Sequence, residues 1–328
     1  MFSKVLIANR GEIAVRIIRA CRELGIQTVA IYSEADAEAL HTQLADEAIC
    51  IGPAKAVDSY LNVQEVLSAA IVTKAEAIHP GFGFLSENSR FASMCEECNI
   101  TFIGPKSATI DAMGNKINAR QLMQEANVPV IPGSTGVLST VEEALEIADR
   151  IGYPVMLKAA AGGGGKGIRK VQSKEELPQH FSSAQQEAAA AFGNDDMYLE
   201  KIIYPARHIE VQILGDRFGH VIHLGERDCS LQRNNQKVLE ESPSVVISQT
   251  KREALGDAAV RAAKAVNYEN AGTIEFLMDE EGDFYFMEMN TRIQVEHPVT
   301  EMVTGIDLVK KQVEIAAGEP LDRKSTRL

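Results

Sequence analysis

The sequence predicts an α/β chain of more than one domain, on three observations. Strand-like and helix-like stretches alternate from Val5 to Glu97, a proline- and glycine-marked break lies at Val128–Gly133, and strands dominate from Arg207 onward. A chain of 328 residues, 45% of them hydrophobic, exceeds the ~250 residues at which one core stops growing, so two or three domains are expected.

The first alternation begins with the apolar run Val5–Ala8, then Gly11 and Ile13, Ile17, Ala20, Cys21 and Leu24 at helical spacing, closed by Gly25. It continues through strands at Thr28–Tyr32, Ala48–Ile51 and Ala77–His79, with helices near Asp36–Leu44, Val63–Val72 and Glu87–Glu97. Such β/α alternation implies a parallel sheet covered by helices. Met113–Glu125 reads as one connecting helix. A smaller α/β unit follows from about Thr140 to Glu200, with a strand at Pro154–Ala159, a glycine loop, a strand at Ile168–Val171 and a helix at Ser173–Ala190. Strands are then predicted at Ile209–Leu214, His220–Leu224, Thr273–Met278 and Phe284–Asn290, with helices at Lys251–Val266 and Ile306–Ala317. The tail Asp322–Leu328 has no core-forming pattern.

A net charge of -13 argues against a nucleic-acid backbone as partner, since no basic stripe is visible. No run approaches the ~20 apolar residues of a membrane span, and the N-terminus has no apolar signal region, so a cytoplasmic protein is expected. Five cysteines at irregular spacing do not resemble a disulfide framework, and Cys95 and Cys98 read as ordinary helix residues.

Two segments carry chemistry. In Ala160-Ala161-Gly162-Gly163-Gly164-Gly165-Lys166-Gly167, consecutive glycines let backbone N–H groups face an anion, and Lys166 adds charge. Gly167 stands where a P-loop has Ser or Thr, and the strand-like Ile168–Val171 follows where a P-loop opens a helix. A hairpin lid over phosphates fits better; a mobile hairpin without ligand is the plainer alternative. Gly81–Ser86 only half matches a dinucleotide fingerprint and reads as a structural turn near a substrate cleft.

The second segment, Thr273–Asn290, is two apolar strands around an acidic turn containing Gly282. With Glu281 and Gly282 at the tip, pairing partners sum to about 563, which sets Glu275 opposite Glu288. Two facing carboxylates repel unless a cation lies between them, and hard oxygen ligands suit Mg²⁺ or Mn²⁺ bridging nucleotide phosphates. Asn290 projects from the same face as a third oxygen ligand. Carried on in extended conformation, Glu288, Asn290, Arg292, Gln294 and Glu296 form one polar stripe, in which Arg292 is suited to clamp an oxyanion and Glu296 to act as a general base. A solvated edge strand is the bland alternative.

The motifs Ala8–Ala14, His79–Glu87, Glu226–Ser230 and Glu288–Glu301 together resemble biotin carboxylase, over a region from Ser3 to about Pro320. The resemblance implies a Rossmann-like domain over 1–114, a linker helix and ATP-grasp lid subdomain over 115–203, and a mainly antiparallel ATP-grasp sheet over 204–328, incomplete at the C-terminus. It implies that bicarbonate attacks MgATP to give carboxyphosphate, whose CO₂ passes to biotin on a carboxyl carrier protein, with a carboxyltransferase as downstream partner. By motif position, Lys116 and Lys158 would contact ATP phosphates, with Gly162, Gly163, Gly164, Gly165, Lys166 and Gly167 closing over them. Glu200, Lys201 and Ile203 would meet the adenine through their backbone, His208, Gln232 and Asn235 the ribose side, and Glu275, Glu288 and Asn290 the metal. Lys237, Arg292, Gln294 and Val295 would hold bicarbonate, Glu296 deprotonate it and Arg292 steady the biotin enolate.

Asn235 replaces a histidine that many family members carry. Family catalytic units also extend beyond residue 328 into a region supplying a further arginine, so weak or absent turnover of this chain alone is expected. The resemblance fits a subunit of acetyl-CoA carboxylase, and the first part of pyruvate carboxylase reads similarly. Another ATP-grasp ligase and an inactive nucleotide-binding fragment are the alternatives. Members dimerise partly through the first domain, where Arg16, Arg19 and Glu23 share a helix and either serve that contact or are simply solvated.

Overall fold

The structure, a computed structural model, describes residues 1–160, 167–234 and 236–321. The first alternation folds as β1 (Lys4–Ile7), α1 (Gly11–Glu23), β2 (Gln27–Tyr32), α2 (Leu40–Leu44), β3 (Glu47–Cys50), α3 (Val63–Thr73), β4 (Ala77–His79), α4 (Ser89–Glu97) and β5 (Thr101–Phe102). These strands form a parallel sheet in the order β3-β2-β1-β4-β5. The predicted helix over Asp36–Leu44 is a single 3-10 turn at Glu34–Asp36 followed by the short α2. Cys95 is buried on α4 and Cys98 is exposed at its end, both as free thiols.

The expected single helix over Met113–Glu125 is two helices, α5 (Ser107–Gly114) and α6 (Lys116–Glu125). Asn115 breaks the run because its extended backbone and side-chain oxygen cap α6, accepting from the N–H groups of Ile117 and Asn118. Such a cap stabilises a helix by about 1 kcal/mol, and it places Lys116 at the first helical position. The lid unit follows as α7 (Val141–Ile151), β6 (Val155–Ala159), β7 (Ile168–Val171), α8 (Leu177–Phe192) and β8 (Met197–Lys201), with an antiparallel sheet ordered β7-β6-β8.

The last part runs β9 (Arg207–Gly215), β10 (Val221–Arg233), β11 (Gln236–Glu241), α9 (Gln249–Ala265), β12 (Asn270–Met278), β13 (Phe284–Asn290), α10 (His297–Thr304) and α11 (Leu308–Ala316). Its sheet is ordered β11-β10-β9-β12-β13, antiparallel throughout. One face carries Ile209, Val211, Ile213, Ile274, Phe276, Phe286 and Met289 against Leu255, Ala258, Ala259, Ala262 and Ala263 of α9. Small alanines let the helix approach closely, and a fully buried side chain such as Phe276 contributes about 1.5–3 kcal/mol. The first and last sheets share a core, in which Ile13, Ile17 and Ile18 of α1 meet Leu308, Val309 and Val313 of α11.

Arg16 and Glu23 of α1 each form ion pairs within this chain. Arg16 Nη2 pairs with Glu301 at 3.0 Å and Asp307 at 2.7 Å, and Glu23 pairs with Lys310. Arg19 alone of the three is exposed without such a partner among the described residues.

Candidate active site

The polar face of the last sheet carries a row of ionisable side chains in cross-strand register. Arg227 on β10 lies opposite Glu210 on β9, Glu210 opposite Glu275 on β12, and Glu275 opposite Glu288 on β13. The expected facing pair is therefore present, but by a different route. The turn spans Asp279–Asp283, with Gly282 in the left-handed region at φ +77° and the Asp279 N–H donating to the Asp283 carbonyl. From that turn Met278 pairs with Phe284 and Phe276 with Phe286, one residue short of the register that joins Glu275 to Glu288. A bulge at Met287 takes up the difference. It leaves Phe286 and Met289, three residues apart, both in the apolar core, and turns Glu288 and Asn290 to the polar face.

Three carboxylates in a row require cations. Lys237 on β11 places its ammonium among them, 2.5 Å from Glu210, 2.8 Å from Glu275 and 2.5 Å from Glu296. Burial lowers the Lys237 pKa, but Glu210 and Glu275 more than offset it and drive it upward, so the group stays charged. Burial would likewise raise Glu275, yet His208, 3.1 Å away, and Lys237 hold it at about 2. Glu288 goes the other way, raised by burial and by the charge of Glu275. Glu296 is raised by burial and brought below the usual carboxylate range by Lys237.

The expected extended stripe ends at Asn290. Residues 291–296 leave the strand and turn into α10, because Ile293 is drawn fully into the apolar core shared with the first domain. The polar side chains nevertheless converge: Asn290 Nδ2 and Gln294 Nε2 both donate to Glu275 Oε1, at 2.9 and 2.8 Å. Arg292 donates to Asn290 Oδ1 at 2.8 Å and, through Nε, to Glu87 at 2.9 Å. Glu87 comes from the loop after β4 and also accepts from the backbone of Thr291. Val295 is exposed.

Lys116, Glu87, Glu288, Asn290 and Thr291 line one cavity of about 240 Å³. Lys158 on β6 pairs with Glu200 on β8 at 2.5 Å, and Arg120 reaches the same carboxylate at 3.4 Å. The Lys201 ammonium is spent on the carbonyls of Gly152 and Tyr153, and the N–H groups of Lys201 and Ile202 on those of Pro132 and Pro154. Of that segment, the Ile203 N–H makes no backbone bond among the described residues. His208 lies against Glu275, and Gln232 donates to the Cys229 carbonyl. Gly167 takes φ +68° and donates its N–H to Glu187. Gly162, Gly163, Gly164, Gly165, Lys166, Asn235 and the tail from Asp322 lie outside the described residues.

Sequence reasoning assigned no role to Arg227, Glu210 or Glu87. Arg227 and Glu87 lie inside the motifs that carry the resemblance, and Glu210 alternates with His208 along β9; that proximity was the available signal.

Comparison with known proteins resolves the family. The profile described as "Biotin carboxylase, N-terminal domain" matches residues 1–110, and "Carbamoyl-phosphate synthase L chain, ATP binding domain" matches 115–324. Biotin carboxylase 1 of Bacillus subtilis is 61% identical over 325 residues, covering 99% of this chain and 72% of that protein. The chain belongs to the biotin carboxylase family. It is an ATP-dependent ligase of that family, whose reaction class is ATP-dependent carboxylation of biotin. Among solved biotin carboxylases, the Campylobacter jejuni β,γ-ATP complex superposes with a TM-score of 0.95 at 51% identity, covering 100% of this chain and 74% of that one. The biotin carboxylase domain dimer of Hydrogenobacter thermophilus 2-oxoglutarate carboxylase, in complex with MgADP, ADP and bicarbonate, gives 0.92 at 56% identity, covering 100% and 73%. The fold is thus a Rossmann-like sheet followed by an ATP-grasp unit. No described helix is long and apolar enough to cross a membrane.

A biotin carboxylase needs a divalent cation for its nucleotide, and the donor set here fits one. The Glu288 carboxylate accepts no hydrogen bond among the described residues, faces an ionised carboxylate, and offers hard oxygen where a dication would relieve the repulsion. Asn290 would join as a ligand only once its oxygen is released by Arg292.

Proposed function

We propose that this chain carboxylates biotin on a carrier protein with bicarbonate, by way of carboxyphosphate, as the biotin carboxylase of a cytoplasmic acetyl-CoA carboxylase in fatty acid synthesis. The carboxyl carrier, the carboxyltransferase and a second copy of the chain are the partners, and the domains divide at 114/115 and 203/204. One observation carries the reading: a charged ammonium, Lys237, held between the buried carboxylates of Glu210, Glu275 and Glu296.

In this reading Lys237, Arg292, the Gln294 amide and the Val295 backbone bind bicarbonate. An anion entering beside Lys237 competes for its N–H groups, so Glu296 loses the partner that depresses its pKa and becomes the stronger base just where the bicarbonate proton must go. Arg292, held by Glu87 and released from Asn290, then steadies the enolate of biotin. Lys116, Lys158 and the segment 162–167 bind phosphates, with Glu200, Lys201 and Ile203 at the adenine and His208, Gln232 and Asn235 towards the ribose. Bound magnesium or manganese, held by Glu275, Glu288 and Asn290, supplies charge neutralisation at the transferring phosphoryl group.

Turnover of this chain alone is expected to be weak, so the test is whether slow phosphate release from MgATP rises with bicarbonate and with biotinylated carrier. Release that is indifferent to bicarbonate, or unaffected by Glu296→Gln, overturns it. Recovery of the chain with a carboxyltransferase for another acyl acceptor would replace the acetyl-CoA assignment.

A further inference from the structure

Arg227 is fully buried, and its guanidinium makes five hydrogen bonds to five different side chains. Nε donates to Glu210 at 2.6 Å, Nη1 to Gln212 at 2.9 Å and Thr300 at 2.7 Å, and Nη2 to Thr273 at 3.3 Å and Gln294 at 2.8 Å. A guanidinium has five N–H donors and no acceptor, so its capacity is used completely and every partner must turn an oxygen toward it. Burying such a charge is a weak route to stability, since an apolar residue of similar volume often serves as well. The pattern is one of orientation.

Gln294 feels that orientation most. A free carboxamide can present either its oxygen or its nitrogen. Here the oxygen is claimed by Arg227 and the nitrogen is turned to Glu275 Oε1 at 2.8 Å, which uses one of its two hydrogens. The other hydrogen has no acceptor among the described residues. Lys237 does not depend on Arg227 in the same way, because Glu275 and Glu296 hold it as well as Glu210.

We propose that Arg227 is a positioning residue that fixes Gln294 with its N–H₂ toward the active site, so that this position offers a donor, and accepts an oxyanion, at every turnover. The inference rests on the reading of Gln294 as a bicarbonate contact. Lysine at 227 keeps the charge but cannot span five acceptors in a plane.

Titration with ¹³C-bicarbonate under saturating MgADP, read by NMR, tests both without requiring turnover. Arg227→Lys is expected to weaken bicarbonate binding about tenfold, the scale of one lost charge-assisted hydrogen bond, with MgADP affinity changed by less than about twofold. In a Gln294→Ala background it is expected to add nothing. Gln294→Ala leaving bicarbonate affinity unchanged, or no saturable binding at all, breaks the reading of the site. Gln294→Ala weakening binding while Arg227→Lys does not, or the two effects multiplying, breaks the proposal alone. Should Arg227→Lys fail to melt cooperatively, the unaltered protein decides: the ¹⁵N-labelled Gln294 side-chain amide, assigned by its loss in Gln294→Ala, should exchange its protons far more slowly than exposed glutamines. Exchange at the exposed rate means that its oxygen is not held, and overturns the assignment.

Discussion

At the switch point of the parallel sheet, between β1 and β4, Asn9 donates from Nδ2 to the carbonyls of Pro80 and Phe82 at 2.8 and 2.7 Å. Gly81 passes so close, at φ +61°, that a Cβ there would lie 3.0 Å from the Asn9 amide. Open α/β sheets often bind ligands at this point, yet here its polar groups are spent on one another. On the last sheet, the Glu288 carboxylate keeps free acceptors facing a cavity and the Gln294 amide keeps one donor hydrogen, among the described residues. What separates the two regions is hydrogen-bonding capacity left over after folding, and that, more than topology, marks the proposed substrate site.

The comparison breaks most readily at Lys237. Lys237→Met leaves Glu210, Glu275 and Glu296 without their shared cation, and bicarbonate-dependent ATP cleavage should fall by about 10³-fold or more, with a lower Tm because removing one partner from a buried charge cluster costs about 3–5 kcal/mol. Activity within tenfold of the parent would mean that this cation is structural. Next in size, Glu288→Gln removes a like-charge repulsion while removing a ligand. The ligand-free Tm should hold or rise while MgADP affinity drops by about 10–100-fold; calorimetric titration beside a thermal melt reads both, and a fall in the two together would place Glu288 among the fold's own supports.

The first region should respond in stability alone. Asn9→Ala leaves two carbonyls unsatisfied and should cost about 1–3 kcal/mol in urea unfolding without moving MgADP affinity. The smallest effect comes from His79, which is wholly buried beside the same turn and, chiefly through that burial, has its pKa lowered to about 3. Its folded pKa lies below the unfolded one, so its contribution is complete above pH about 6.5 and is lost as pH falls toward 3. Stability should decline by about 1 kcal/mol from this group between pH 6.5 and 5.5, and a variant His79→Gln should flatten that slope.

Much of this contrast was legible in the sequence, though unevenly. The apolar runs at Val5, Thr28 and Ala77 placed the parallel strands because burial on both faces writes itself as a continuous stretch. β5 and β11 went unread, the first because two residues carry no periodicity, the second because Gln236–Glu241 has a polar edge. The Glu275–Glu288 pairing came out correctly from two departures that cancel, a turn whose register is offset by one and a bulge that no local signal announces. Arg227 was invisible as a hub because its partners come from β9, β12, the 291–296 segment and α10, and only tertiary folding assembles them. Asn115 is the opposite case, since an asparagine after glycine is a readable helix start that the longer periodicity obscured.

The extra residue at Met287 has a consequence for how this chain can change. Chemical identity at Glu288 and Asn290 is stored in those side chains, but their orientation is stored in a count. Regular alternation from Phe286 through the same residues would keep every functional group and turn both toward Ile274 and Phe276, whereas lengthening the acidic turn would be absorbed at the surface. In this strand, then, arithmetic is under tighter constraint than composition.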